Sequence, residues 1–205
     1  MKIEVGYLPK NYFSTDPNAG GFFPFAMNEV PQFIFLLDGI YLPRSNNNFF
    51  TSWMKKINGF PMYFCTEVYS HRKKFFVEEH NEWLIDYEYL SVYKEKSIVV
   101  SKIENSEQFS KIFPLFISMG SENCLVLWST KKNIFQLEER IWKGNWEGKR
   151  RESVVTKFDE NISLFWISYD GNGIVGLSNN HLYSTLENIE NHLPSSINIS
   201  FTDFS

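Results

Sequence analysis

The chain has 205 residues, enough to bury roughly 70% of its unfolded surface around one core. Hydrophobic residues make up 43% and charged residues 21%, which excludes the low-hydrophobicity regime of disordered chains. A net charge of −4 lacks the basic footprint of a general nucleic-acid binder, so nucleic acid is not expected as a partner.

Aromatic residues reach 18%, with 20 Phe, 10 Tyr and 6 Trp. Rings in that number predict a large aromatic core and leave some over for the surface, where a cluster would mark a contact face. The first residues hold no apolar leader. The most apolar run, 33–37, is broken by Asp38 and Gly39 long before it could span a bilayer, so a cytoplasmic protein with no membrane partner is expected.

Four prolines and a Gly20-Gly21 pair between residues 9 and 31 predict an irregular, aromatic-anchored N-terminal segment, 1–31, packed on the domain. Residues 33–37 read as a buried strand ended by the Asp38-Gly39 turn. Asn46, Asn47 and Asn48 cap a helix over 49–57, with Phe50, Trp53, Met54 and Ile57 at helical spacing and Gly59 at C′. Residues 62–69 read as a strand and 78–89 as a helix carrying Trp83, Leu84 and Tyr87 on one side.

A strand over 97–103, a helix over 106–119 capped by Ser106 and disturbed by Pro114, and a strand over 124–129 suggest a βαβ-like unit. Residues 131–143 fit helix or strand. Strands over 162–169 and 174–178 flank Asp170-Gly171-Asn172-Gly173, a dense hairpin signal. A last helix runs over 183–192, with Ser184 as N-cap, Glu187 at N3 and Pro194 beyond its end. No internal repeat or linker is visible. The expected fold is a single α+β domain over 1–205, with a mixed or antiparallel sheet, a C-terminal β-hairpin followed by a helix, and a large aromatic core.

Several segments resemble chemistry. Gly171, Gly173 and Gly176 match the letters of a dinucleotide fingerprint, but that motif must open a helix, whereas Ile174 to Ser178 is a β-type run. Cys65 and Cys124 lie in apolar runs and read as buried thiols. His71 and His80 are nine residues apart, without the three- or four-residue separation that places two ligands on one helical face. No cofactor or metal site is expected, and with no Walker lysine, G-x-S-x-G or H-E-x-x-H the chain leans away from an enzyme.

Glu78, Glu82 and Asp86 recur every four residues, a spacing at which like charges destabilise an isolated helix. Together with Trp83 and Tyr87 they form the candidate partner face. A second candidate, Trp142, Trp146, Lys149, Arg150 and Arg151, interleaves Trp with basic residues and reads as a surface contact loop. The expected function is that of a small protein-interaction module of bacterial type, an inhibitor of the immunity kind, with a protein partner. The alternative is a small enzyme or ligand-binding domain whose pocket is lined by Phe22, Phe23 and Phe25.

Overall fold

Alternating apolar residues supply the frame. The protein is described by a computed structural model over residues 2–9, 23–40, 47–141, 148, 150–195 and 197–204. In chain order its elements are β1 (Lys2–Tyr7), β2 (Ala26–Met27), β3 (Phe33–Asp38), α1 (Asn47–Lys56), β4 (Met62–Tyr69), α2 (Lys73–Glu82), β5 (Asp86–Val92) and β6 (Lys96–Ile103). There follow α3 (Ser106–Ser121), β7 (Val126–Ser129), β8 (Phe135–Ile141), β9 (Arg150–Thr156), β10 (Ser163–Ile167), β11 (Gly173–Ser178), α4 (Leu186–His192) and β12 (Asn198–Phe201).

Nine strands form one sheet in the order β12-β1-β3-β11-β10-β7-β4-β6-β5, and β2-β9-β8 form a second. Within the large sheet only β1 and β12 pair in parallel; all other neighbours are antiparallel. The fold is therefore α+β with mixed sheets. The βαβ-like unit exists in split form: β6 and β7 run parallel, joined through α3, with β4 inserted antiparallel between them.

The period-2 alternation of these strands sends side chains to two different cores. On one face Phe35, Phe64, Val99, Trp128, Phe165 and Ile174 pack beneath α1, α3 and α4. Phe64 lies between Phe116, with centroids 4.3 Å apart, and Trp128 at 5.5 Å, both rings nearly parallel to its own. On the other face Ile34, Cys65, Val100, Leu127, Trp166 and Val175 meet Phe23, Phe25, Met27 and the small sheet. Both faces of the central strands of the large sheet are thus buried, which accounts for the aromatic content. None of the described helices is long and apolar enough to cross a membrane.

α3 is one continuous helix through Pro114, not split by it, and its N-cap is Asn105, one residue before the predicted Ser106. The Asn105 side chain accepts from the amides of Glu107 and Gln108, each at 3.0 Å. The last helix is shorter than expected: Tyr183 belongs to a 3-10 turn, and Thr185, not Ser184, caps α4 by accepting from the Asn188 amide. Of the ambiguous segment 131–143, residues 132–134 form a 3-10 turn and 135–141 a strand, and 142 and 143 lie outside the described residues. In α1 the Asn46 cap lies outside the described residues.

The helix predicted over 78–89 is corrected. α2 ends at Glu82, and Asp86 begins strand β5. A Schellman closure makes the break: the Ile85 amide donates to His80 O at 2.8 Å and the Leu84 amide to Asn81 O at 3.3 Å, with Leu84 at φ 52°. α1 and α3 close in the same way, each with an asparagine, Asn58 or Asn123, at positive φ. Gly59 thus follows the left-handed position instead of occupying it.

Leu84 carries a side-chain penalty that asparagine or glycine avoids, and it is 83% exposed, so it gains little packing in return. Leu84→Gly is expected to stabilise the protein by about 0.5–1 kcal/mol, raising Tm by about 2 °C. A lower Tm in a thermal melt would refute the strain.

Candidate functional site

Five of the nine exposed large hydrophobic side chains among the described residues, Phe75, Leu84, Tyr89, Val92 and Tyr93, lie on α2, β5 and their flanks. β5 is the terminal strand of the large sheet and pairs on one side only, with β6. Seven residues long and without proline, it presents an unpaired edge of the kind that other chains can extend.

The two faces of β5 differ. Asp86 and Glu88 stand opposite Lys102 and Val100 of β6, toward the second core, whereas Tyr87 and Tyr89 stand opposite Ser101 and Val99, toward the helices. On the helix side Tyr87 and Tyr89 meet edge to face at 5.8 Å, and the Lys73 ammonium lies 5.0 Å from the Tyr89 ring centroid. On the other side Tyr63, Asp86, Tyr87, Glu88, Val100, Lys102 and Lys132 line a groove of about 310 Å³.

Three of the four charged groups in that groove are paired. The Lys132 ammonium bonds Glu88 at 2.8 Å, and Lys102 bonds Glu104, which holds its ammonium above the usual lysine range. Asp86 makes no ion pair within 4 Å among the described residues and feels Lys102 only as a more distant charge.

The five residues predicted as a partner face therefore divide between two elements. Glu78 and Glu82 are exposed on α2; Asp86 and Tyr87 belong to β5; Trp83 sits in the turn between them, half-buried. Lys111 lies over the Trp83 ring at 4.8 Å, and Gln108 Nε2 donates to the carbonyls of Trp83 and Leu84, satisfying the open end of α2. Glu78 pairs loosely with Lys74 at 3.8 Å. In the second predicted surface, Trp142, Trp146 and Lys149 lie outside the described residues, as does the side chain of Arg151. Arg150 begins β9 with its guanidinium 3.6 Å from Glu139.

His80 is structural, held in a buried pair with Ser101 that sequence spacing does not announce. It is fully buried, with Nδ1 2.8 Å from Phe76 O and Nε2 2.7 Å from Ser101 Oγ. A carbonyl can only accept, so Nδ1 carries the proton and Nε2 accepts from the Ser101 hydroxyl. Burial lowers the His80 pKa to about 4, against the partial opposing effect of the Phe76 carbonyl. The arrangement has the geometry of a serine–histidine pair, but both residues are fully buried, beneath Phe76, Tyr87 and Phe116. It serves packing, and both nitrogens are engaged. The signal available in sequence was the i, i+4 pair Phe76 and His80, which sets the buried face of α2.

No family model, curated protein or solved structure matches the chain.

The glycine fingerprint is structural at every position. Gly171 sits at φ 67° in the β10–β11 turn, beside Asp170 at φ 58°. Asn123, at the end of α3, braces that turn by accepting from the Asp170 amide and donating to its carboxylate, both at 2.8 Å. Gly173 and Gly176 lie in β11, hydrogen-bonded to β3 and β10, where no helix opens. Cys65 and Cys124 are buried and unpaired, and burial pushes both thiols up, away from thiolate reactivity.

Proposed function

We propose that the protein is a small protein-binding module of inhibitor type that recognises its partner by adding an extended segment of it to β5. The observation that carries this reading is the concentration of exposed apolar side chains on and beside the unpaired edge, Tyr89 and Val92 on β5 itself and Phe75, Leu84 and Tyr93 next to it. Such patches, rimmed by charge, mark interaction sites. Strand addition supplies main-chain hydrogen bonds for affinity, and side chains on either face supply selectivity. The alternative, a pocket lined by the aromatic N-terminal segment, has less support. Phe23 and Phe25 are buried against Trp166 at 5.4 and 6.1 Å, and Phe22 lies outside the described residues.

Photo-reactive side chains placed at Tyr89 and, for comparison, at Phe201 on the opposite edge strand test the reading in the native host. A discrete adduct is expected from position 89 and not from 201, and its yield should fall about tenfold with Val92→Lys at unchanged Tm. Identical adducts from both edges, or none from position 89, would overturn it.

A further inference from the structure

We infer that the segment received by β5 is basic: a strand in which Arg or Lys alternates with aromatic or branched apolar residues, one basic side chain entering the groove beside Asp86. This rests on the strand-addition reading and specifies its occupant. A strand added antiparallel to β5 continues the alternation of its two faces, which a bulge between Tyr89 and Ser91 shifts by one residue so that Val92 returns to the side of Tyr87 and Tyr89. Its residues on one face stand beside Tyr87, Tyr89 and Val92, which favour apolar or aromatic neighbours. Its residues on the other face stand beside Asp86 and Glu88, at the mouth of the groove of about 310 Å³.

The charge pattern selects the sign. Glu88, Lys132 and Lys102 already have partners, so an entering anion would have to displace a carboxylate from a lysine. An entering cation finds Asp86 without an ion pair among the described residues and displaces none of the pairs above. A guanidinium suits this carboxylate best, since its planar fork can donate two parallel bonds. The same pattern argues against a second copy of the chain. Antiparallel self-pairing about Tyr89 would bring Asp86 and Glu88 of both copies to one face, four carboxylates along a single junction.

The test uses the whole protein and fluorescent peptides of about the length of β5. One alternates Arg with Val, a second alternates Glu with Val, a third is the Arg-Val peptide with alternate backbone nitrogens methylated. The Arg-Val peptide is expected to bind at least about tenfold tighter than either of the others in fluorescence anisotropy, and Asp86→Asn should reduce that preference severalfold with no change in Tm. Equal binding of the methylated peptide would show charge attraction without strand addition and overturn the inference. So would equal binding of the Glu-Val peptide, or a sedimenting dimer dispersed by Tyr89→Lys, which would make a second copy the occupant. A position-89 adduct with an acidic or wholly apolar segment would remove the basic assignment while leaving strand addition standing; absence of any such adduct would remove both.

Discussion

Lowering the pH from 7 to 4 is expected to cost about 3 kcal/mol of stability at His80 alone. In the folded protein the imidazole is buried with a pKa of about 4, whereas the unfolded chain protonates it at the ordinary 6.5. Below 6.5 the unfolded state takes up a proton that the folded state refuses, so stability falls as pH falls. The loss is complete near pH 4, where the folded state accepts the proton as well, and above 6.5 the group contributes no slope. At 1.36 kcal/mol per pH unit, this window gives the figure of about 3 kcal/mol. Carboxylates titrate in the same range, so the measurement is the difference between wild type and His80→Gln in urea unfolding at a series of pH values. The variant should be less stable at pH 7, because Gln cannot reproduce both the bond to Phe76 O and the bond from Ser101, yet it should lose less on acidification. Parallel curves would show that His80 does not govern the acid limb.

A methyl group at Gly173 is expected to be more damaging than at either neighbouring glycine of the fingerprint. A Cβ there would fall 2.5 Å from Leu37 O, a backbone atom of the adjoining strand that cannot move without breaking the β3–β11 ladder. Overpacking of this kind costs about 3 kcal/mol or more, a Tm loss of at least about 6 °C. At Gly176 the clash is with the Phe35 ring, fully buried and stacked on Tyr183 at 5.0 Å, so Gly176→Ala should cost about 1–3 kcal/mol. Gly171→Ala adds left-handed strain of about 1 kcal/mol to a clash with Ser121. Titration with NAD or ATP should leave Tm unchanged in wild type and variants alike. A nucleotide-dependent rise abolished by Gly173→Ala, or a Gly173→Ala Tm within a degree of wild type, would refute the structural role.

The parts of the fold legible in the sequence are those whose local chemistry coincides with their tertiary surroundings. β4 spans 62–69 as read, and β3, β6 and the β10–β11 hairpin fall within a residue or two, because each is a dense apolar run bounded by turn residues. β5 reads as helix because its tyrosines and acids, three of the four in solvent, mimic one face of a continuing helix, and only the Schellman turn at Leu84 ends it. β1, within the segment 1–31 that reads as irregular, and β12 escape local pattern for a different reason: they are partly polar and pair with each other across nearly the whole chain. Glycine chemistry was half legible. Gly171 has the positive φ expected of the turn, while Gly173 answers to the closeness of β3, a neighbour about 135 residues away that no local pattern announces. The candidate site shares this limit, since a sheet edge is defined by what fails to pair with it.

The strand order also bears on how the chain can assemble. β4, α2, β5, β6, α3 and β7 are consecutive in sequence and adjacent in space, so this half of the sheet closes through short loops. The other half joins β1 and β3 to β10, β11 and β12, across separations that carry a larger closure entropy. Such a difference favours a nucleus in residues 62–129, with the Phe64, Phe116 and Trp128 stack at its centre, onto which the remaining strands are laid from β10 outward. β5 would then have its open edge from the earliest structured species onward, at the opposite end of the large sheet from the strands added to that sheet later. Any segment that binds this edge would meet it before the rest of the molecule is complete.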